Sequence, residues 1–331
     1  MSDKEEKKEN IMGTLGITRL IMKMSLPLMI SMLIQALYNI VDSMFVARVS
    51  ETALTAVSLA FPLQNLLIAF GVGTGAGMAS YLSRKLGEKD TETATKAAGN
   101  GITLAVITWV LFAILGLTIV KPFMALFTDD AELLGLSTSY SEIVMIFSFF
   151  MLLSMMNERI LQGTGDSFSS MLSQMTGAIT NIILDPVFIF VFKMGVNGAA
   201  IATVIGQAVG CAVSLYFVIR NKYIKIKPQH LKLEKRMVAS IYSVGAPTII
   251  TNSIGTVMTG AMNAILIGFS TTAVSVFNVY FKLQSFVFMP IFGLSSGMVP
   301  IIAYNYGARK KKRVMSTIYT GTIIAIGIMI V

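Results

Sequence analysis

The sequence predicts an all-helical integral membrane protein built as two parallel copies of a six-helix bundle, with the second copy incomplete. Three observations predict it. The chain is 54% hydrophobic and 13% charged with a mean hydropathy of +0.74, too apolar for an ordinary soluble domain. Nine predominantly apolar runs recur, each near the 20 or so residues that cross a bilayer. The chain also aligns with itself at the offset between Pro27 and Pro247, 220 residues. In that register Thr52-Ala53 meets Thr272-Ala273, Phe61 meets Phe281 and Leu63-Gln64 meets Leu283-Gln284. Gly73 then meets Gly293, Gly77-Met78 meets Gly297-Met298, Gly87 meets Gly307, and Gly101 meets Gly321. Unrelated apolar helices have no reason to hold Pro, Gln and Gly in one gapless register.

Residues 1–18 mix Lys with Glu and read as a cytoplasmic tail, with little order expected through Gly16. The first apolar run is too long for a cleaved leader. Runs at 19–48, 53–83, 94–120, 135–161, 167–192 and 197–220 form the first bundle, 19–220. A basic stretch, 221–236, with Pro228 and the lone His230, reads as a cytoplasmic linker. Runs at 237–268, 271–302 and 314–331 begin the second bundle, 237–331, as helices seven to nine. Six spans separate the copies, so both start on the same side and are related by an axis along the membrane normal. The doubled period implies about 440 residues, and ending within an apolar run leads to the expectation of a chain shortened by about three helices.

Charge sets the orientation. With the N-terminus inside, all but four of the 26 Lys and Arg fall in cytoplasmic segments; the exceptions are Arg48, Lys121, Lys193 and Lys282, the last within a span. This is the positive-inside pattern, and it accounts for the +9 net charge without nucleic acid, for which no aromatic-interleaved basic motif is present. One cysteine, Cys211, excludes an intrachain disulfide and a cysteine-based metal site. No P-loop supports direct ATP drive. Gly293-Leu294-Ser295-Ser296-Gly297 fits the G-x-S-x-G pattern of serine hydrolases. Helix packing through small residues explains it better, since the repeat copy keeps glycines at 73 and 77 and the sole histidine lies in the linker. An intramembrane serine hydrolase is therefore a rival reading only, and no enzyme activity or cofactor is expected.

The chemistry gathers on acids at membrane depth, which are costly and usually functional. Asp42 lies six residues before Arg48, Asp185 eight before Lys193, and Thr203 six after Asn197. Each is thus roughly 9–12 Å below the outer boundary. Tyr38 precedes Asp42 by four and Asn181 precedes Asp185 by four, on the same helix faces. Pro186 frees the Ile182 carbonyl and is expected to kink the helix beside Asp185. Two carboxylates, an amide, a hydroxyl, a phenol and a carbonyl are hard oxygen ligands for a proton or a small cation. The competing reading has each acid merely bonding a neighbouring helix. Asn157 is a candidate cavity-lining amide, while Glu158 is expected to pair with Arg159 at the span boundary. Lys282 has three open roles: holding an anionic group, repelling protons, or snorkelling. The 23 methionines line an adaptable cavity or simply pack.

These residues carry a resemblance. Pro27, the Tyr38-Asn39-Ile40-Val41-Asp42 run, the Leu161-Gln162-Gly163-Thr164-Gly165-Asp166 turn, Asn181 with Asp185-Pro186, and Gly198-Ala199-Ala200-Ile201-Ala202-Thr203 resemble the multidrug and toxic compound extrusion (MATE) transporters. The likeness is closest to their DinF-like and MepA-like bacterial branch. It implies a cation-driven antiporter with two lobes, exporting amphipathic or cationic compounds against protons or sodium ions. Asp42, Asn181, Asp185 and Thr203 would then form the cation site, possible sodium ligands included, with Tyr38, Asn39, Asn157, Pro186 and Lys282 in support. It implies a monomer in the bacterial plasma membrane, with membrane lipids around it and no resident cofactor. Two features depart from the pattern: Gln162 stands where arginine is common, and the part of the second bundle present here carries no acid at membrane depth. The nearest rival is a lipid-linked oligosaccharide flippase, which calls for a cationic cavity rather than acids.

Overall fold

A computed structural model describes residues 10–269 and 271–330, with several side chains between positions 256 and 287 left undescribed. Its helices are α1 (Ile11–Thr14), α2 (Ile17–Ala47), α3 (Glu51–Gly87), α4 (Thr91–Thr118), α5 (Val120–Met124), α6 (Ala131–Ile146), α7 (Ser148–Thr164), α8 (Ser167–Pro186), α9 (Gly195–Ile219), α10 (Lys235–Ile267), α11 (Thr271–Gly307) and α12 (Lys311–Ile330). Among the described residues there is no strand. Seven helices are long and apolar enough to cross a membrane, and α6 with α7 makes an eighth. The 33-residue α10 fills the expected seventh run.

Short polar caps fix where the apolar runs become helices. Ser50 accepts from the Ala53 amide at 2.9 Å, Asp90 from Thr93 at 3.0 Å, and Asp166 from Ser169 at 3.1 Å, each satisfying a donor that a helix start leaves open. α7 stops at Gly165, whose φ of +95° costs glycine little. Lys89 and Arg309 hold φ of 63° and 57°. They occupy equivalent places in the 220-residue repeat, directly after α3 and α11.

Two expectations change. The run 135–161 is two helices bent by 46°. At the break the Trp109 indole, reaching over from α4, donates to the Ile146 carbonyl at 2.8 Å, and the Ser148 hydroxyl donates to the Met145 carbonyl at 2.7 Å. Side chains entering the hydrogen-bond ladder are an ordinary cause of a kink. The tail is ordered from Asn10 onward, while residues 1–9 lie outside the described set. Asn10 donates to the Thr164 carbonyl at 2.9 Å, and Arg313 donates to the carbonyls of Met12 and Leu15, so α1 is pinned between the two halves. The stretch 221–236 is likewise held down: Asn100 donates to the Lys232 carbonyl at 3.0 Å and accepts from the Glu234 amide at 2.9 Å.

The halves meet where α3 packs on α10 and α11, and α2 on α11. Small residues set these crossings. A Cβ at Gly87 would strike the Tyr304 carbonyl, and one at Gly307 would strike the Arg84 carbonyl. Shifting the first pair by 220 residues gives the second. Gly73 against Ile249 and Gly293 against Met29 are related in the same way, as are Gly77 against Gly245 and Gly297 against Ser25. The duplication in the sequence is thus a two-fold relation in space. Gly293 and Gly297 serve this packing, and Ser295 faces outward, so the hydrolase motif has a structural cause. Methionines 24, 78, 145 and 156 are buried in the core, where they pack rather than line a cavity.

Gly→Ala in a helix ordinarily stabilises by about 1 kcal/mol. At Gly87 and Gly307 the sign is expected to reverse, each substitution costing about 1–3 kcal/mol through overpacking. Thermal unfolding in detergent should show comparable losses for the two, and a gain at either position would contradict the packing.

Candidate functional site

Three helices bring the polar side chains together. α8 packs against both α2 and α9. Its approach to α9 is close because a Cβ at Gly177 would lie 2.9 Å from the Gly206 carbonyl, and one at Gly206 would lie 2.8 Å from the Gly177 carbonyl. Without side chains at that crossing, the short Asn181 and Thr203 can touch across it. The Asn181 amide donates to Asp185 Oδ1 at 3.2 Å and to Thr203 Oγ1 at 3.3 Å. From α2, the Tyr38 hydroxyl lies near Thr203, and the Asp42 carboxyl lies near Asp185. The helix loses its regular ladder beside this point. After Pro186 the chain makes a π-helical turn, Val187–Val191, where a simple kink was expected. The missing amide of proline leaves the Ile182 carbonyl without its usual partner.

Asp185 is 0% exposed, Asn181 2% and Thr203 7%; Asp42 and Tyr38 are half-buried. Three oxygens in the group have no protein partner: Asp42 Oδ1, Asp185 Oδ2 and Asn181 Oδ1. Buried acceptors rarely stay unpaired, and each calls for an explanation. Two ionised carboxylates this near each other repel, and any two like unit charges about 4 Å apart at an effective dielectric near 20 do so by about 4 kcal/mol. A carboxyl–carboxyl hydrogen bond needs a proton on one of the two. The arrangement can therefore hold one shared proton, or a small cation ringed by carboxylate, amide and hydroxyl oxygens. Among the described residues no cluster of three His, Cys, Asp or Glu is present, so the donor set matches a singly charged ion better than a structural divalent metal.

The other candidate positions separate. Asn39 is exposed and contributes only its carbonyl, to Ser43 at 2.8 Å; it is not part of the cluster. Asn157 is fully buried inside the bundle, donating to Ser214 at 3.2 Å. Glu158 does not pair with Arg159, whose guanidinium donates to Gln162 at 3.0 Å. Lys282 has a side chain outside the described residues.

Tyr140, 3% exposed, went unrecognised in the sequence. Its hydroxyl accepts from Gln64 at 3.4 Å and lies near enough to Asp42 and Tyr38 to interact electrostatically. Gln64 was visible as a polar residue kept in the repeat register. Apart from the cluster, an open apolar groove of about 510 Å³ between α3 and α10 is lined by Phe70, Ile249, Ile250, Ser253, Ile254 and Met258.

Comparison with known proteins converges on one family. The MatE family model matches residues 27–187 and 247–331. Multidrug export protein MepA of Staphylococcus haemolyticus is 29% identical over 299 residues, covering 90% of this chain and 66% of its own length. MepA of Staphylococcus aureus (strain NCTC 8325 / PS 47) is 27% identical, with coverages of 95% and 70%. The chain thus spans about two thirds of the length of these relatives. Among solved structures, a MOP superfamily transporter from Pyrococcus furiosus superposes with a TM-score of 0.92 at 27% identity, covering 97% of this chain and 72% of that one.

Thr203 is the joint between α2 and α8. Thr203→Val keeps its volume but strands one donor of the Asn181 amide and removes the hydroxyl near Tyr38, at an expected cost of about 1–3 kcal/mol. Thr203→Ser should stay close to wild type in thermal unfolding, and equal stability of Val and Ser variants would contradict the geometry.

Proposed function

The chain belongs to the MATE family, and from that premise we propose that it is a secondary active exporter, moving amphipathic, often cationic, compounds outward against protons or sodium ions. MATE proteins are transporters and not enzymes. The observation that carries the export reading is the buried Asp42–Asp185 pair with its unpartnered oxygens. Acids in the lobe favour cationic cargo and speak against a flippase for an anionic pyrophosphate-linked lipid. The names of the MepA relatives support small-molecule drugs as cargo. The protein would sit in a bacterial plasma membrane as a monomer, with the basic loops and the N-terminus in the cytoplasm.

Charge supplies the gating. With the pair ionised, the site attracts a cation and α2 and α8 are pushed apart. Taking up a proton or a sodium ion removes most of that repulsion. The helices can then close around the π turn after Pro186, where the backbone ladder is already loosened. Closure would lower the lobe's affinity for cationic cargo and release it outside. If one net charge enters per cycle, about 2.3 kcal/mol per 100 mV is available, enough for a roughly fortyfold gradient.

Proteoliposomes with separately imposed pH and sodium gradients test the reading. Asp42→Asn and Asp185→Asn should each abolish gradient-driven dye efflux without reducing membrane insertion. Undiminished efflux in both variants would overturn the assignment. Dependence on one gradient alone identifies the coupling ion.

A further inference from the structure

A second buried carboxyl stands apart from the aspartate pair. Glu158 lies on α7, six residues or about 9 Å before its end at the basic-loop side, and is 7% exposed. Among the described residues no cation lies within 4 Å of it, because the adjacent Arg159 is turned toward Gln162. Its partners are neutral: the Ser154 hydroxyl donates to Oε1 at 3.1 Å and the Gln174 amide to Oε2 at 2.5 Å. An ionised carboxylate buried without a counter-charge costs several kcal/mol even after the protein relaxes, and neutral donors offset only part of that. A proton removes the cost.

The titratable groups facing Glu158 are Arg159, from its own helix, and the Cys211 thiol from α9. α8 contributes only the neutral Gln174. Among the described residues no charged group from α3, α4, α6 or α11 comes within ion-pair distance. Gln174 and Asp185 are 11 residues apart on one face of α8, so the two acidic sites are separated by about 16 Å along the bundle. At that distance and an effective dielectric near 20 their charges interact by about 1 kcal/mol, which leaves them nearly independent.

We propose that Glu158 is a second proton-binding site of the first bundle, loaded from the basic-loop end independently of the Asp42–Asp185 pair. Its proton comes from water at that end and returns there, so no other reactant is required. The consequence is mechanical. Neutral Glu158 leaves Arg159 on Gln162, and Gln162 in turn donates to Ser170 of α8 at 2.9 Å. Ionised Glu158 attracts the guanidinium through space without pairing with it, which weakens its hold on Gln162 and loosens the α7–α8 link at the basic end. The inference does not depend on the export reading.

Infrared pH-difference spectroscopy of the detergent-solubilised protein tests it through the carbonyl-stretch band of a neutral buried acid. The band is expected to persist in Asp42→Asn/Asp185→Asn and to lose its Glu158 component in Glu158→Gln, which is nearly isosteric. An unchanged spectrum in Glu158→Gln, or no buried-acid band in the aspartate double variant, would overturn the proposal. If that double variant fails to fold, the wild-type minus Glu158→Gln difference still decides. A second readout is Trp109, the one tryptophan, whose ring lies 5.1 Å from Phe149 of α7. Its emission should shift with pH in wild type and lose that shift in Glu158→Gln; an identical shift in both counts against the proposal. Loss of efflux in the aspartate variants, by contrast, reports on the export reading alone.

Discussion

The contact between the Asp42 and Asp185 carboxyls is the constraint on which the rest of the first bundle turns. It joins α2 to α8 at a place where neither helix offers a counter-charge, so the join is attractive with one proton or cation between the acids and repulsive without it. The surroundings amplify the difference. Asp185 has no exposure to water, and the residue after it is Pro186, beyond which the chain runs as a π turn. The Gly177–Gly206 crossing holds α8 against α9 just below. A change of one charge therefore falls on a helix fixed on one side of the site and free of a regular ladder on the other.

The two copies of the repeat divide labour. Positions where the halves touch are preserved in both: Gly73 and Gly293, Gly77 and Gly297, Gly87 and Gly307. Close backbone approach leaves no room for a Cβ, so the scaffold tolerates little change. The two acids of the site lie in the first copy, and among the described residues of the second copy the positions equivalent to its α2 face are apolar. The repeat counterparts of Tyr38 and Asp42 are Met258 and Met262, and Met258 lines the apolar groove between α3 and α10. In the first copy this face of α2 carries the acids, in the second the matching face of α10 is an apolar wall, and the interface between them is the same from both sides.

The helical spans and the repeat were legible because hydrophobic run length and residue counting report position along a helix. They do not report rotation about a helix axis. Tyr38 and Asp42, one turn apart, are both half-buried, whereas Asn39, between them in sequence, is exposed. Glu158 and Arg159 are adjacent in sequence, yet neighbouring helical side chains diverge, and the expected pair does not form. The bend between α6 and α7 had no local Pro or Gly to announce it; its cause is Trp109, far off in the chain. Order at Asn10–Gly16 likewise comes from Thr164, Asn305 and Arg313, partners that no local pattern discloses.

The central claim is that cargo and the coupling ion compete through the charge of the Asp42–Asp185 pair. Calorimetry of cargo binding in buffers of different ionisation enthalpy, with sodium present and absent, counts protons exchanged per molecule bound. The account predicts release of about one proton, or displacement of about one sodium ion, for each cationic molecule taken up. Binding that is indifferent to buffer and to sodium alike would contradict it.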